Sequence, residues 1–487
     1  MEKLLTPRQG AALAGLLGFI ATWVLEAPTG LSTDAWRALG LTWLMAVFWI
    51  AEVLPLAVTA LLPILLAPTL GLSPVDSVTR SYAHPLIFLF LGGFILGMAM
   101  ERWRLHERIA LGTLSILGGT PARELAGFML ATAFLSMWVS NTATAIMMLP
   151  IALSVVHLRG APAASEGNPY AVALLLGIAY AASIGGIATL IGTPPNALLA
   201  AYLSDQHGIA IGFARWMLIG VPVALTMLAL AWFWLAFAVA KGATAGTDQP
   251  GTGGKQSHAI LRQRLAELGA LTRMEWRVAL VFCATALAWI FQPLLARAMP
   301  GAGITDTGIA IACAILLHLL PAGDGKGSRL MDWETSQRLP WGVLLLFGGG
   351  LALAGIIQDS GLAKAIAEQL SVLAGVPVLL AIGVVTLTVI FLTEVTSNTA
   401  TTAAFLPLLG ALALSIGLPV EALVIPAAIA ASCAFMLPVA TPPNAIVFGS
   451  GELSIKQMAS AGLVLNLAGL LAVTLAGGLL VQWGIFS

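Results

Sequence analysis

Two short polar strings stand out in an otherwise apolar chain: SNTAT beginning at Ser140, and SNTAT again beginning at Ser397. Serine, asparagine and threonine carry small side chains that supply both hydrogen-bond donors and acceptors. One such cluster can coordinate a cation through oxygens and hold a carboxylate through hydroxyl and amide hydrogens. A second string is also doubled, TPPNA at Thr193 and at Thr441. Proline lacks the amide hydrogen and disrupts a helix, so Pro194-Pro195 and Pro442-Pro443 predict a break in each helix that contains them. Carbonyls freed before such a break can bind a cation, and the half-helix that follows turns its positive end toward an anion. Gly192 and Ala440, just before the prolines, leave the backbone accessible.

The elements that position these strings must be membrane helices. Of 487 residues, 59% are hydrophobic and 9% charged, where soluble proteins carry roughly 25% charged residues. Uncharged apolar stretches recur along the chain, among them 11–25, 85–100, 216–240, 278–296 and 458–482, at or near the length needed to cross a hydrocarbon core. The first has no small-residue cleavage pattern and reads as a retained span. The apolar stretches beside the SNTAT strings, about Leu125 to Val139 and about Leu379 to Val395, are too short to span fully. Each SNTAT therefore reads as the tip of a re-entrant helical hairpin, which must be buried in protein or line a wet cavity because hydrocarbon satisfies no backbone group.

Placing turns between the remaining segments yields an all-α polytopic membrane protein of eleven transmembrane helices plus two re-entrant hairpins. On that reading seventeen of the 22 lysines and arginines share one face, and only Arg37, Arg80, Arg215, Arg297 and Lys364 lie on the other. The positive-inside rule makes the first face cytoplasmic, with the N-terminus inside and the C-terminus outside. The clearly polar stretch runs from about Gly242 to Arg273. It opens as a flexible linker and continues as a surface helix, with Leu261, Leu265 and Leu268 at helical spacing and Arg262, Arg264 and Glu267 facing away. The parts are 1–122, scaffold spans and a first arm helix; 123–240, the first hairpin, broken helix and following span; 241–275, the linker and surface helix; 276–371, scaffold spans and a second arm helix; and 372–487, the second hairpin, broken helix and last span.

The two halves repeat. FLGGFILGMAM at Phe90, SNTATAIMMLP at Ser140 and TPPNA at Thr193 return in order as FGGGLALAGII at Phe347, SNTATTAAFLP at Ser397 and TPPNA at Thr441, at nearly constant spacing. Ordered matches of this kind indicate an internal duplication. With the topology above, Asn141 enters from inside and Asn398 from outside, an inverted repeat of the sort that places a substrate near mid-membrane in secondary transporters. No Lys or Arg lies between Glu124 and His157 or between Leu370 and Pro419. Two helix ends contribute roughly half a unit charge each, too little for a dianion, so bound sodium ions are the natural source of the missing positive charge.

These residues resemble the divalent anion/sodium symporter family, which moves dicarboxylates and, in some members, citrate or sulfate. The resemblance covers nearly the whole chain: both SNT motifs, both TPPN motifs, AEVLPLAVTALLP from Ala51, TLIGTPPNA and LPVATPPNAIVFGSG. It implies a homodimer in the cytoplasmic membrane whose protomers pair a fixed scaffold with an elevator-like transport domain. The segments from Glu101 and from Gln358 would be the linking arm helices. A first sodium site would use Ser136, Ser140, Asn141 and Gly192, and a second Thr393, Thr396, Asn398 and Ala440. The substrate, a C4-dicarboxylate such as succinate, fumarate or malate, would meet Asn141, Thr142, Ser397, Asn398 and Thr399, with Thr441 and Pro442 lining the pocket. Within the family a sodium-independent exchanger and a citrate or sulfate transporter are the alternatives.

Other readings compete for some residues. Small polar residues also let membrane helices pack closely, a reading that the doubled pairing with TPPN weakens. Glu394, inside the second hairpin, matches Met137 in the first, a residue unable to do the same chemistry, and so reads as structural, as does Glu52 at a helix end. His84 reads as interfacial, and the 14 tryptophans mostly as membrane-boundary residues. Cys283, Cys313 and Cys433 lie in apolar segments as packing residues, and the six histidines show no metal-ligand spacing. A membrane-embedded enzyme would need an acid, base or metal cluster, for which Glu52 and Glu394 are too isolated; a channel would need a continuous polar path.

Overall fold

The computed structural model describes residues 6–116, 120–158, 168–244, 262–370 and 375–483. Among them every regular element is helical, and extended pairing is limited to one isolated bridge between Pro321 and Arg329. The residues that would face solvent in a soluble protein are apolar here. Leu463, Leu467, Leu471, Leu475 and Leu479 form an exposed stripe at one-turn spacing on helix Ile455–Trp483. Leu218, Leu225, Phe233 and Phe237 are exposed on Phe213–Thr244. Hydrocarbon is the solvent in which such a surface costs nothing. Among the described residues six helices are long and apolar enough to cross a membrane, or seven with the bent pair Arg273–Ile290 and Gln292–Ala298 counted as one. The motif-bearing spans are interrupted, so their halves fall short of a full crossing one by one.

The duplication is visible as element order. Helix Pro85–Arg102, arm helix Leu105–Ile116, hairpin helices Pro121–Ser136 and Asn141–Leu158, half-helices Pro169–Ile187 and Pro194–His207, and long helix Phe213–Thr244 form the first series. Trp341–Asp359, Leu362–Leu370, Val378–Thr393 and Asn398–Ser415, Glu421–Ala431 and Pro442–Gly449, and Ile455–Trp483 form the second. Each hairpin's entering helix has 16 residues, about 24 Å at 1.5 Å per residue, against a core of ~30 Å. A four-residue turn joins it to its partner helix.

The two series interlock. Half-helix Pro442–Gly449 packs against hairpin helix Asn141–Leu158, and Pro194–His207 packs against Asn398–Ser415. Glycines permit the closest approaches. A Cβ on Gly350 would lie 3.1 Å from Ala403 and 3.4 Å from Leu198, so the second repeat's first helix touches the half-helix of one repeat and the hairpin of the other.

Several expectations need adjustment. The prolines do not lie in the breaks but occupy the first two positions of the half-helices that follow, where a missing amide hydrogen costs nothing. The breaks are residues 188–193 and 432–441, so Gly192 and Ala440 lie inside them. Of the polar stretch, 262–267 is helical and carries Arg262, Arg264, Leu265 and Glu267, while Leu261 and most of the linker fall outside the described residues. Trp49, Trp216 and Trp289 are fully buried in protein. Their indoles donate to the carbonyls of Leu56 (3.2 Å), Ile187 (2.9 Å) and Asp306 (3.0 Å), which is how a large polar-tipped ring becomes a core residue. Glu52 ends helix Thr33–Ile50 in a left-handed conformation, φ 46°, and its carbonyl accepts from Arg8. His84 caps helix Pro85–Arg102, its Nδ1 accepting from Leu86 N (3.2 Å) while Nε2 lies 3.0 Å from Asp205. The three cysteines are free, Cys313 and Cys433 buried and Cys283 exposed.

Candidate ion and substrate site

At the first hairpin tip the helix ends with Ser136, whose buried hydroxyl donates across to the carbonyl of Ala182 at 2.5 Å. Asn141 opens the next helix and points back at the same place. In one orientation its amide nitrogen donates to Ser136 Oγ (2.5 Å), Ala182 O (3.2 Å) and Gly192 O (3.3 Å). In the other, Oδ1 joins three further oxygens in a shell with no lysine or arginine nearby in sequence. In that second arrangement Ser136 Oγ can donate to Oδ1 at 2.5 Å, its single hydrogen leaves the remaining oxygens facing one another, and hard oxygen ligands of this kind suit a small, hard cation. Gly186 is part of the construction, because a Cβ there would come within 3.0 Å of both Asn141 Oδ1 and Gly192 O. Ser136, Asn141 and Gly192 are thus brought together. Ser140 is exposed and serves the helix end, its hydroxyl accepting from Ala143 N at 3.2 Å.

The second tip is built differently. Thr393 is buried, and its hydroxyl donates to Val389 O (2.9 Å) and Ile390 O (3.0 Å) of its own helix. Thr396 donates to Leu392 O (2.8 Å) and shares a contact of 2.8 Å with Thr401. Ser397 caps its helix through Ala400 N at 3.4 Å. Asn398 Oδ1 is buried without a partner among the described residues, leaving an acceptor available. Ala440 is buried in the break, and Thr441 caps the following half-helix by accepting from Asn444 N at 3.3 Å. These contacts do not gather Thr393, Thr396, Asn398 and Ala440 into one shell as they gather the first set. Pro442 is exposed, and Thr142 and Thr399 are half-buried at equivalent positions. Substrate-facing groups must keep hydrogen-bonding capacity in reserve, and no described hydrogen bond uses the hydroxyl of either.

The breaks are held by residues that motif reasoning passed over. Asn196, fully buried, donates its amide to Gly186 O (3.1 Å), Ile187 O (3.3 Å) and Thr189 O (2.8 Å). Asn444 does the same for Ala434 O (3.3 Å) and Leu437 O (3.0 Å). The freed carbonyls expected to bind cations are therefore partly taken by the last residue of each TPPN. Its repetition was the available signal, hidden because the prolines explained the motif already.

Each tip is also tied to its break through the same repeat position. At Met137 the backbone carbonyl accepts from Thr189 Oγ1 at 2.6 Å. At Glu394 the side chain takes over: its buried carboxylate accepts from Phe435 N (2.8 Å), Met436 N (3.0 Å), Leu437 N (2.9 Å) and Asn466 Nδ2 (2.7 Å). Three consecutive amides wrapped on a carboxylate form an anion nest, and every donor at Glu394 is a protein group, which gives it the structural role expected of it.

Duplicated hairpins, interlocked broken helices and a lipid-facing apolar surface define a polytopic helical membrane transporter rather than an enzyme. Its fold is similar to that of the Alcanivorax borkumensis YdaH transporter, with a TM-score of 0.58 and 16% identity over 84% of this chain and 88% of that one. Neisseria gonorrhoeae MtrF, described as illuminating a class of antimetabolite efflux pumps, also has a TM-score of 0.58, with 14% identity over 99% of this chain and 96% of that one. More specifically, the chain belongs to the family defined by the sodium:sulfate symporter transmembrane region, whose profile matches residues 10–486. Curated relatives include the sodium-dependent dicarboxylate transporter SdcS of Staphylococcus saprophyticus, 43% identical over 470 residues, covering 95% of this chain and 89% of the relative. SdcS of Staphylococcus aureus strain USA300 is likewise 43% identical, over 472 residues.

Proposed function

We propose that this chain is a sodium-coupled symporter of C4-dicarboxylates such as succinate, fumarate or malate in the cytoplasmic membrane. The observation that carries the reading is the oxygen shell of Ser136, Asn141, Ala182 and Gly192, set in a hairpin with no basic residue from Leu125 to Val156. An anion bound there needs metal ions for its counter-charge, and the names of the SdcS relatives point to the same chemistry.

At least two sodium ions are used, one at Ser136, Ser140, Asn141 and Gly192, the other at Thr393, Thr396, Asn398 and Ala440. The dicarboxylate sits between them on Asn141, Thr142, Ser397, Asn398 and Thr399, beside Thr441 and Pro442. Eleven spans and two re-entrant hairpins, inserted as an inverted repeat with the N-terminus inside and the C-terminus outside, make up each protomer of a homodimer. The hairpins and broken helices move as one transport domain against the scaffold. Their interlocking supports this, since Asn141–Leu158 of one repeat packs against Pro442–Gly449 of the other.

Uptake of labelled succinate into proteoliposomes is the test. The expected result is saturable, counterflow-competent uptake that requires an inward sodium gradient. Equal uptake in potassium overturns coupling, and non-saturating flux overturns carriage in favour of a channel. A cysteine crosslink between scaffold and transport domain should stop turnover while leaving succinate binding, and continued turnover in a fully crosslinked sample excludes the elevator.

A further inference from the structure

The hairpin tips are not mechanically equivalent. Trp138 precedes Ser140 in the first tip, and its ring stacks on Phe213 with centroids 5.9 Å apart at 23° and meets the edge of Phe282 at 5.0 Å and 84°. Phe213 stacks in turn on Trp289, 4.7 Å away at 18°. Phe213 and Trp289 are fully buried, Phe282 and Trp138 nearly so. The far end of this stack is pinned. Asp306 Oδ2 accepts from the backbone N of Phe213 at 2.8 Å, and the Asp306 carbonyl accepts from Trp289 Nε1 at 3.0 Å. The indole nitrogen of Trp138 has no hydrogen-bond partner among the described residues, and ring packing holds this side chain. Gly97 leaves room for the tip, since a Cβ there would lie 3.2 Å from the Trp138 carbonyl.

In the second repeat the position of Trp138 is taken by Val395, which is 61% exposed and part of no such stack. The duplication therefore kept the polar motif and changed the brace. A re-entrant tip has few local contacts to fix it, and ion ligands displaced by a fraction of an ångström lose much of their affinity.

We propose that Trp138 and Phe213 are positioning residues that hold the first hairpin tip in its ion-binding geometry, a part that the second tip gives instead to the buried carboxylate of Glu394. The stack acts through Asn141 and Ser136 and touches neither ion nor substrate. This rests on the reading of those two residues as ion ligands.

The test is sodium dependence of succinate uptake in proteoliposomes holding the full-length protein, together with thermal melting with and without sodium. An aromatic pair of this geometry is worth a factor of about three to ten in an equilibrium constant. Trp138→Ala should raise the sodium concentration for half-maximal uptake about three- to tenfold, and Trp138→Phe should restore most of it. Val395→Ala should leave it unchanged. Phe213→Leu, which keeps an apolar side chain in the stack, gives a second reading should Trp138→Ala fail to fold, with a smaller shift in the same direction. If both variants lower the melting temperature but leave the sodium half-saturation unchanged, or if Val395→Ala shifts it equally, the proposal is overturned. Asn141→Ala measured in parallel separates this from failure of the site itself, because normal sodium dependence in that variant would remove the ion site and not only its brace.

Discussion

Replacing Glu394 by alanine removes the acceptor for four buried donors at once: the amides of Phe435, Met436 and Leu437 and the carboxamide of Asn466. The Phe435 amide keeps Asn466 Oδ1 at 3.1 Å, and a buried donor stripped of its partner costs about 1–3 kcal/mol, so the other three together cost roughly 3–9 kcal/mol, on the scale of a whole domain's stability. Glu394 is only 3% exposed, so little solvent is at hand to relieve them. Glu394→Ala should therefore fail to give a monodisperse protein in detergent. Glu394→Gln keeps one acceptor oxygen and turns an NH2 toward amides that also donate, a loss of about 2–5 kcal/mol; it should insert, melt well below the parent and pass less substrate. Met137→Leu, at the equivalent position, should melt normally, because there the backbone carbonyl makes the tie. Size-exclusion profiles and melting curves decide it. A Glu394→Ala protein that purifies and melts like the parent would refute the idea that this carboxylate closes the second break.

Asn141→Ala and Asn398→Ala should each abolish succinate uptake with the protein still inserted and monodisperse, and normal uptake by both would remove the site assignment. Thr142→Ala and Thr399→Ala should mainly weaken substrate affinity, seen as a higher half-saturation concentration with little change in maximal rate. Asp332 lies in a loop, where the amide and hydroxyl of Thr335, and then the Arg102 guanidinium 2.5 Å away, hold its carboxyl down to about 2. Because its folded value is depressed, its contribution is complete above about pH 4 and is lost as the pH falls through the folded value. Asp332→Asn should flatten the dependence of melting temperature on pH across that window, and identical profiles for parent and variant would count against it.

Much of the architecture was legible before any coordinates, for local reasons. Apolar length marks a membrane helix, a proline pair marks an interruption nearby, and a short apolar flank beside a polar tip marks a hairpin; each depends on neighbours within a turn or two. Doubling of SNTAT and TPPN exposed the repeat by simple comparison. The grouping of Ser136, Asn141 and Gly192 came from the family resemblance and not from spacing. What needed the tertiary structure was every partnership across the chain. Asn196 and Asn444 had to be seen reaching back to carbonyls inside the breaks, and Glu394 had to be seen meeting amides some forty residues on. The burial of Trp49, Trp216 and Trp289 also needed the tertiary structure, because composition reports that a ring is amphipathic, but not which wall its nitrogen faces. Thr393 and Ser136 occupy the same repeat position, yet one hydroxyl turns to its own helix and the other across to Ala182. Side-chain direction is set by which helices pack together, and that is decided by the fold as a whole.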